Sequence, residues 1–236
     1  TLDSATPAVS KLIKKLASRF PYHTFFTSSY LTTQTPPTDK WPENTGVMIS
    51  TIDLPKGITL NNQKPVKAFL KKLTDWKKCV SCIYIWDYAA NFDDYLTPMP
   101  ILYGLKKQLP FYKQHGIRGI FLNGSGYDYS VFDDVKTFVS TALMMNHTYS
   151  VDTLTASYFH QYYPVAGEVL SNYYLSLEKR MEKHGKPYDL YGSFRRSLYT
   201  YLDPEEFITF YRSVDSLRAS SASPEKEKLD KLYTAP

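Results

Sequence analysis

Apolar positions along the chain follow two periods in alternation. From Ala8 to Phe20, Val9, Leu12, Ile13 and Leu16 share one helical face, Lys11, Lys14 and Lys15 take the other, and Pro21 ends the run. Thr24 to Thr27 and Val47 to Ile52 are short and rich in β-branched and aromatic residues, as strands are. A helix is predicted from Pro65 to Trp76 on the stripe Val66, Phe69, Leu70 and Leu73. A third strand spans Ser81 to Asp87, and a polar loop with Asn91, Asp93, Asp94, Pro98 and Pro100 leads to a helix over Leu102 to His115. Gly116 supplies its left-handed stop. Gly119 to Leu122 reads as a fourth strand, and the Gly124-Ser125-Gly126 loop leads to a helix over Phe132 to Met145. Beyond Met145 the period is helical throughout. Ser150 caps one run to Tyr162, and Val165, Val169, Tyr173, Leu177 and Met181 repeat every fourth residue up to His184-Gly185. Asp203-Pro204-Glu205-Glu206 and Ser223-Pro224-Glu225 are helix starts.

Strand, loop, helix, strand in this rhythm predicts parallel pairing with crossover helices, hence an α/β fold. An open doubly wound sheet and a barrel both fit. The long polar loops after the strands favour the barrel, which keeps its functional groups there. Four strands make half of an eight-stranded (β/α)8 TIM-type barrel. Residues 1–148 are therefore expected to form about half of such a barrel, its C-terminal part, and 149–236 a helical region packed on it.

Composition narrows the function. With 21 Tyr, 13 Phe and 3 Trp, aromatic residues reach 16% of the chain, which suits surfaces that meet both apolar faces and hydroxyl groups, as carbohydrate grooves do. The net charge of +5 comes from short stretches such as Lys71-Lys72 and Lys106-Lys107, without the concentrated basic face of a nucleic-acid binder. No apolar run approaches the roughly 20 residues that span a bilayer. The chain starts at Thr1, so a processed or excised form is expected. Cys79 and Cys82 lead into a strand and lack a second pair, so they are expected as buried thiols with no metal site. No cofactor fingerprint is present.

The segment Tyr84-Ile85-Trp86-Asp87-Tyr88-Ala89-Ala90-Asn91-Phe92, followed by Tyr95-Leu96-Thr97-Pro98-Met99-Pro100, resembles a large bacterial family of unknown function in the glycosidase barrel group, distantly similar to α-glucuronidases and hexosaminidases. Phe111 to Phe121 is similar to the same family's helix-Gly-Gly-strand segment, and the likeness runs from about Thr24 to Arg180. This resemblance implies extracytoplasmic work on complex glycans, with the remaining barrel strands on an N-terminal portion. Where the family commonly carries Glu, an amide and Gly after the fourth strand, this chain reads Leu122-Asn123-Gly124. The missing carboxylate makes a non-catalytic carbohydrate-binding or scaffold domain the alternative to a glycoside hydrolase.

Asp87, at the end of a strand between Trp86 and Tyr88, is the candidate catalytic group, with a loop cap as its competing role. Asp53 is a candidate second carboxylate, since glycoside hydrolysis uses two, although Pro55 and Gly57 favour a turn. Trp86, Tyr88 and Tyr127 are candidate stacking platforms, and Asn91 and Asn123 candidate hydroxyl partners. Trp86 and Asp87 are expected to emerge together into one solvent-facing mouth.

Overall fold

A computed structural model describes residues 4–125 and 129–234 of the 236-residue chain. In chain order its elements are α1 (Thr6–Arg19), β1 (Phe25–Ser29), a 3-10 turn (Leu31–Thr33), β2 (Thr45–Ser50), α2 (Lys64–Lys77), β3 (Cys82–Tyr88), α3 (Leu102–Gln114), β4 (Gly119–Asn123), α4 (Asp133–Met145), α5 (Val151–Tyr162), α6 (Gly167–His184), α7 (Phe194–Ser197), α8 (Pro204–Ser220) and α9 (Glu225–Thr234). The fold is α/β, with one four-stranded sheet in the order β1-β2-β3-β4 and every neighbouring pair parallel. The chain forms two compact units assembled from interleaved stretches. The first comprises residues 1–55, 60–88 and 111–123, the second 56–59, 89–110 and 124–236.

The first unit holds the sheet. Its register sets Val47 beside Ile83 and aligns Ile49, Ile85 and Ile120, so alternate residues line up across the strands on one face. That face meets Val66, Phe69, Leu73 and Trp76 of α2 and Ile13 of α1 to make the core. The spacing of these α2 residues is the 3-4 stripe that puts them on one side of a helix. Cys79 is buried with them, whereas Cys82, expected to be buried, is only partly covered because it lies on the opposite face of β3.

The second unit is built from helices. Side chains cap the starts of two of them, Ser150 accepting from the Thr153 amide and Asp203 from the Glu206 amide. Two buried glutamates do the same from a distance. Glu178 on α6 accepts the amides of Leu102 and Tyr103 at the start of α3, and Glu225 accepts those of Val165 and Ala166 just before α6. Helix α3 also runs close to the turn at Gly57, where a Cβ at position 104 would lie 2.4 Å from the Gly57 Cα. Backbone cannot yield as a flexible side chain does, so Gly104→Ala should cost about 1–3 kcal/mol of stability in chemical denaturation. A wild-type midpoint for that variant would remove the close approach as a constraint. Among the described residues, no helix is long and apolar enough to cross a membrane.

Candidate functional site

In a parallel sheet the carboxyl ends of the strands are where loops can gather functional groups. Here β2 and β3 bring Ser50, Thr51, Trp86, Asp87 and Tyr88 to that end. Trp86 and Asp87 nevertheless point away from each other, because neighbours on a strand alternate faces. The single mouth expected for the two residues is therefore corrected to two surfaces.

Asp87 lies on the helix-covered side and is only 3% exposed. Its Oδ1 accepts the Thr51 hydroxyl at 2.7 Å and the Tyr88 amide at 3.0 Å, and its Oδ2 accepts the Tyr112 hydroxyl at 3.4 Å. The short Thr51 bond ties the ends of β2 and β3 together. Asp87 thus acts as an internal acceptor that fixes this end of the sheet. Beside it, an open cleft of about 320 Å³ lies between the end of β2 and α2, lined by Thr51, Asp53, Lys64, Phe69 and Lys72 among others. Asp53 is exposed there, after the strand and outside the sheet.

The other side of the sheet is aromatic. Phe26, Tyr84, Trp86 and Phe121 lie on it, Phe26 being 38% and Phe121 47% exposed. The Phe26 and Tyr84 rings are 4.8 Å apart between centroids, while Trp86 meets Phe121 edge-on at 5.6 Å and stacks against Tyr88 at 6.2 Å. Two glycines make room for this layer. A Cβ at Gly46 would sit 2.4 Å from the Phe26 ring, and one at Gly119 would sit 2.6 Å from the Tyr84 ring. Aromatic rings laid over strand glycines fill the space a side chain would occupy. Tyr30 adds a further ring 5.9 Å from Trp86. The Trp86 indole N–H is shielded from water and bonds to no described residue, a cost of roughly 1–3 kcal/mol.

Of the residues singled out from the sequence, Trp86, Tyr88 and Asn123 share this aromatic side. Asn123 pairs with Tyr88 at the strand ends, and the Tyr88 hydroxyl lies 2.8 Å from Ser50 Oγ. Asn91 belongs to the second unit, where it is buried, donates to the Gly192 carbonyl at 2.6 Å and accepts the Asp93 amide. That is a loop-fixing role. Tyr127 lies outside the described residues. Sequence reasoning missed Phe26 and Phe121, whose alliance with Trp86 depends on strand register. No group of three or more His, Cys, Asp or Glu side chains suited to a metal ion occurs among the described residues.

Comparison with known proteins gives one match. The family model for DUF4838, a domain of unknown function, covers residues 3–175. No curated protein and no solved structure matches.

Proposed function

The chain belongs to the DUF4838 family, and we propose that it is a carbohydrate-recognising domain whose binding surface is the aromatic side of its sheet. The observation that carries this reading is the aromatic layer, in which the partly covered Trp86 indole stands between Phe121 and Tyr88 and the Phe26 and Phe121 rings are exposed. A pyranose offers an apolar C–H face to such rings and hydroxyl groups to the polar side chains at their edge. Asn123, at the same strand ends, supplies a side-chain amide that can both donate to and accept from a sugar hydroxyl.

Recognition is favoured over hydrolysis by the engagement of Asp87. Glycoside hydrolysis needs one carboxyl to protonate the leaving oxygen and another to attack or to activate water. Asp87 is buried on the opposite side from Trp86 and accepts bonds from Thr51, Tyr88 and Tyr112. Position 122, where the resemblance leads one to expect Glu, is Leu. Four parallel strands in sequential order, with α1 and α2 packed on one side, also suit half of a (β/α)8 barrel, in which Trp86, Tyr88 and Asn123 at the carboxyl ends of their strands would stand at the mouth where barrels keep their functional groups. On this reading the domain works outside the cytoplasm, where complex glycans are displayed.

Calorimetric titration of the full chain with a panel of oligosaccharides tests the proposal. At least one glycan should bind, and Trp86→Ala should weaken it roughly 30-fold, the effect of removing a central aromatic anchor worth about 2 kcal/mol. No reducing ends should be released on prolonged incubation. Absence of binding across the panel, or unchanged binding by a folded Trp86→Ala variant, would overturn the assignment. Glycan cleavage that Asp87→Asn abolishes would replace it with a hydrolase.

A further inference from the structure

The second unit contains an aromatic cavity that the sheet site does not use. It has a volume of about 230 Å³ and is walled by Tyr129, Phe132, Tyr158 and Tyr163, with Asp133 inside and Lys228 among its lining groups. We infer that this cavity binds a single sugar ring, separately from the sheet surface. The choice of ligand class rests on the carbohydrate reading above, while the cavity itself does not.

The start of α4 builds the site. Phe132 precedes the helix in the left-handed region, φ 63° and ψ 22°, which side chains with a Cβ avoid. Its buried ring holds it there, packed against Phe159, Tyr174 and Phe210 at 5.2 to 6.1 Å. Residues kept in sparsely populated backbone regions by surrounding packing cluster at functional sites. Two carboxyl groups follow, and they differ. Asp134 is committed to the protein, for its Oδ2 accepts the hydroxyls of Tyr158 and Tyr163 at 2.9 and 2.8 Å, and its Oδ1 accepts the Val135 amide. Asp133 accepts the Ser130 amide at a long 3.3 Å and the Asp134 backbone amide, and no side-chain hydroxyl among the described residues donates to it. Loss of hydration raises its pKa, so it can accept from a hydroxyl or, when protonated, donate to one.

Charge and size select the ligand. The two carboxyl groups are outnumbered by the ammonium groups of Lys228 and Lys231 on the lining and of buried Lys136, whose Nζ donates to Ser130 Oγ. That balance disfavours a cationic ligand, and Asp133 disfavours an anionic one. A neutral polyol with an apolar face fits, with the tyrosine rings taking the C–H groups and Asp133 and Lys228 the hydroxyls. The Lys228 ammonium already stands 5.0 Å from the Tyr163 ring centroid, within cation–π range, so it is positioned beside that wall. The volume lies below the roughly 300–1,000 Å³ of sites that hold drug-sized ligands, which suits one ring and excludes an extended chain.

Saturation-transfer NMR and calorimetry on the full chain with glucose, N-acetylglucosamine, glucuronate and glucosamine test this inference. A neutral ring should bind with a Kd below about 10 mM, and Asp133→Asn should weaken it by about tenfold or more. Lys228→Met, which leaves every bond to Asp133 and Asp134 in place, should weaken it as well and serves if the first variant does not fold. Trp86→Ala should leave this binding unchanged. The inference is overturned if no neutral monosaccharide binds, or if binding survives both cavity variants. Loss of oligosaccharide binding in Trp86→Ala with monosaccharide binding intact separates the two sites, and oligosaccharide binding without any monosaccharide signal sinks the cavity alone.

Discussion

Replacing Glu178 with Ala should lower the stability of the helical unit by about 3–5 kcal/mol, as removal of one member of a buried charged hydrogen-bond cluster does. Glu178 is 1% exposed, and its carboxylate receives the Leu102 amide at 2.7 Å, the Tyr103 amide at 3.0 Å and the Tyr174 hydroxyl at 2.9 Å. The alanine variant leaves three donors dry and unmatched, two of them the free amides at the start of α3. Burial pushes the Glu178 pKa from 4.5 to about 7, against the opposing effect of these hydrogen bonds. The folded form therefore holds a proton more tightly than the unfolded chain between pH 4.5 and 7. This contribution to stability is fully present below pH 4.5 and is lost as pH rises through 7, a fall on the order of 3 kcal/mol at most. Glu178→Gln removes the titration while keeping one acceptor oxygen. Urea denaturation at pH 4.5, 6 and 8 should thus show a smaller loss for Gln than for Ala, and no Glu178-dependent slope. Identical slopes in wild type and Gln variant would remove Glu178 as the source.

In the sheet unit, the largest loss is expected at Trp76. Its side chain is fully buried, meets Trp41 edge-on at 5.8 Å and donates its indole N–H to Ser29 Oγ at 3.0 Å, near the Gln34 carbonyl at 3.3 Å. Trp76→Ala removes the largest filler of the core and should cost about 3–5 kcal/mol. Trp76→Phe restores most of the volume without the N–H and should cost less, about 1–3 kcal/mol. Amide exchange along β1 and β2 is the direct measurement, since Ser29 ends β1 and α2 covers both strands. A cost under about 1 kcal/mol for the alanine variant would mean that the core closes around the gap, contrary to the packing described.

The elements were legible because their apolar spacing is strong. Val66, Phe69 and Leu73 could only share a helical face, and Ile83 and Ile85 only one side of a strand. Register was not legible, and the aromatic surface depends on it: Phe26 and Phe121 lie far apart in the chain and meet the same face only through three parallel pairings. The divergence of Trp86 and Asp87 follows from the period of two, whereas their shared strand-end position taken alone points both to one mouth. Glu178 left a trace as well, a lone acid four residues after Tyr174 and three before Met181 in an otherwise apolar stripe. Asp133 and Asp134 resembled the ordinary acids of a helix start, and nothing in their order separates the committed carboxyl from the available one. The left-handed Phe132 and the tyrosines that distinguish them come from tertiary packing.

The threading of the second unit has a consequence for how the protein is made. Asn91 closes its loop on Gly192, the Phe92 amide on the Leu190 carbonyl and the Tyr188 amide on the Lys56 carbonyl, contacts that span from about one hundred to more than one hundred and thirty positions. Residues 56–59 and 89–110 must therefore wait on the ribosome for partners translated much later, and at roughly 5–20 residues per second that delay lasts many seconds. During this interval the strands can already pair, while the buried loop around Asn91 stays open to chaperones and proteases. Slowing translation between residues 123 and 190 should lengthen that exposure without changing the finished molecule.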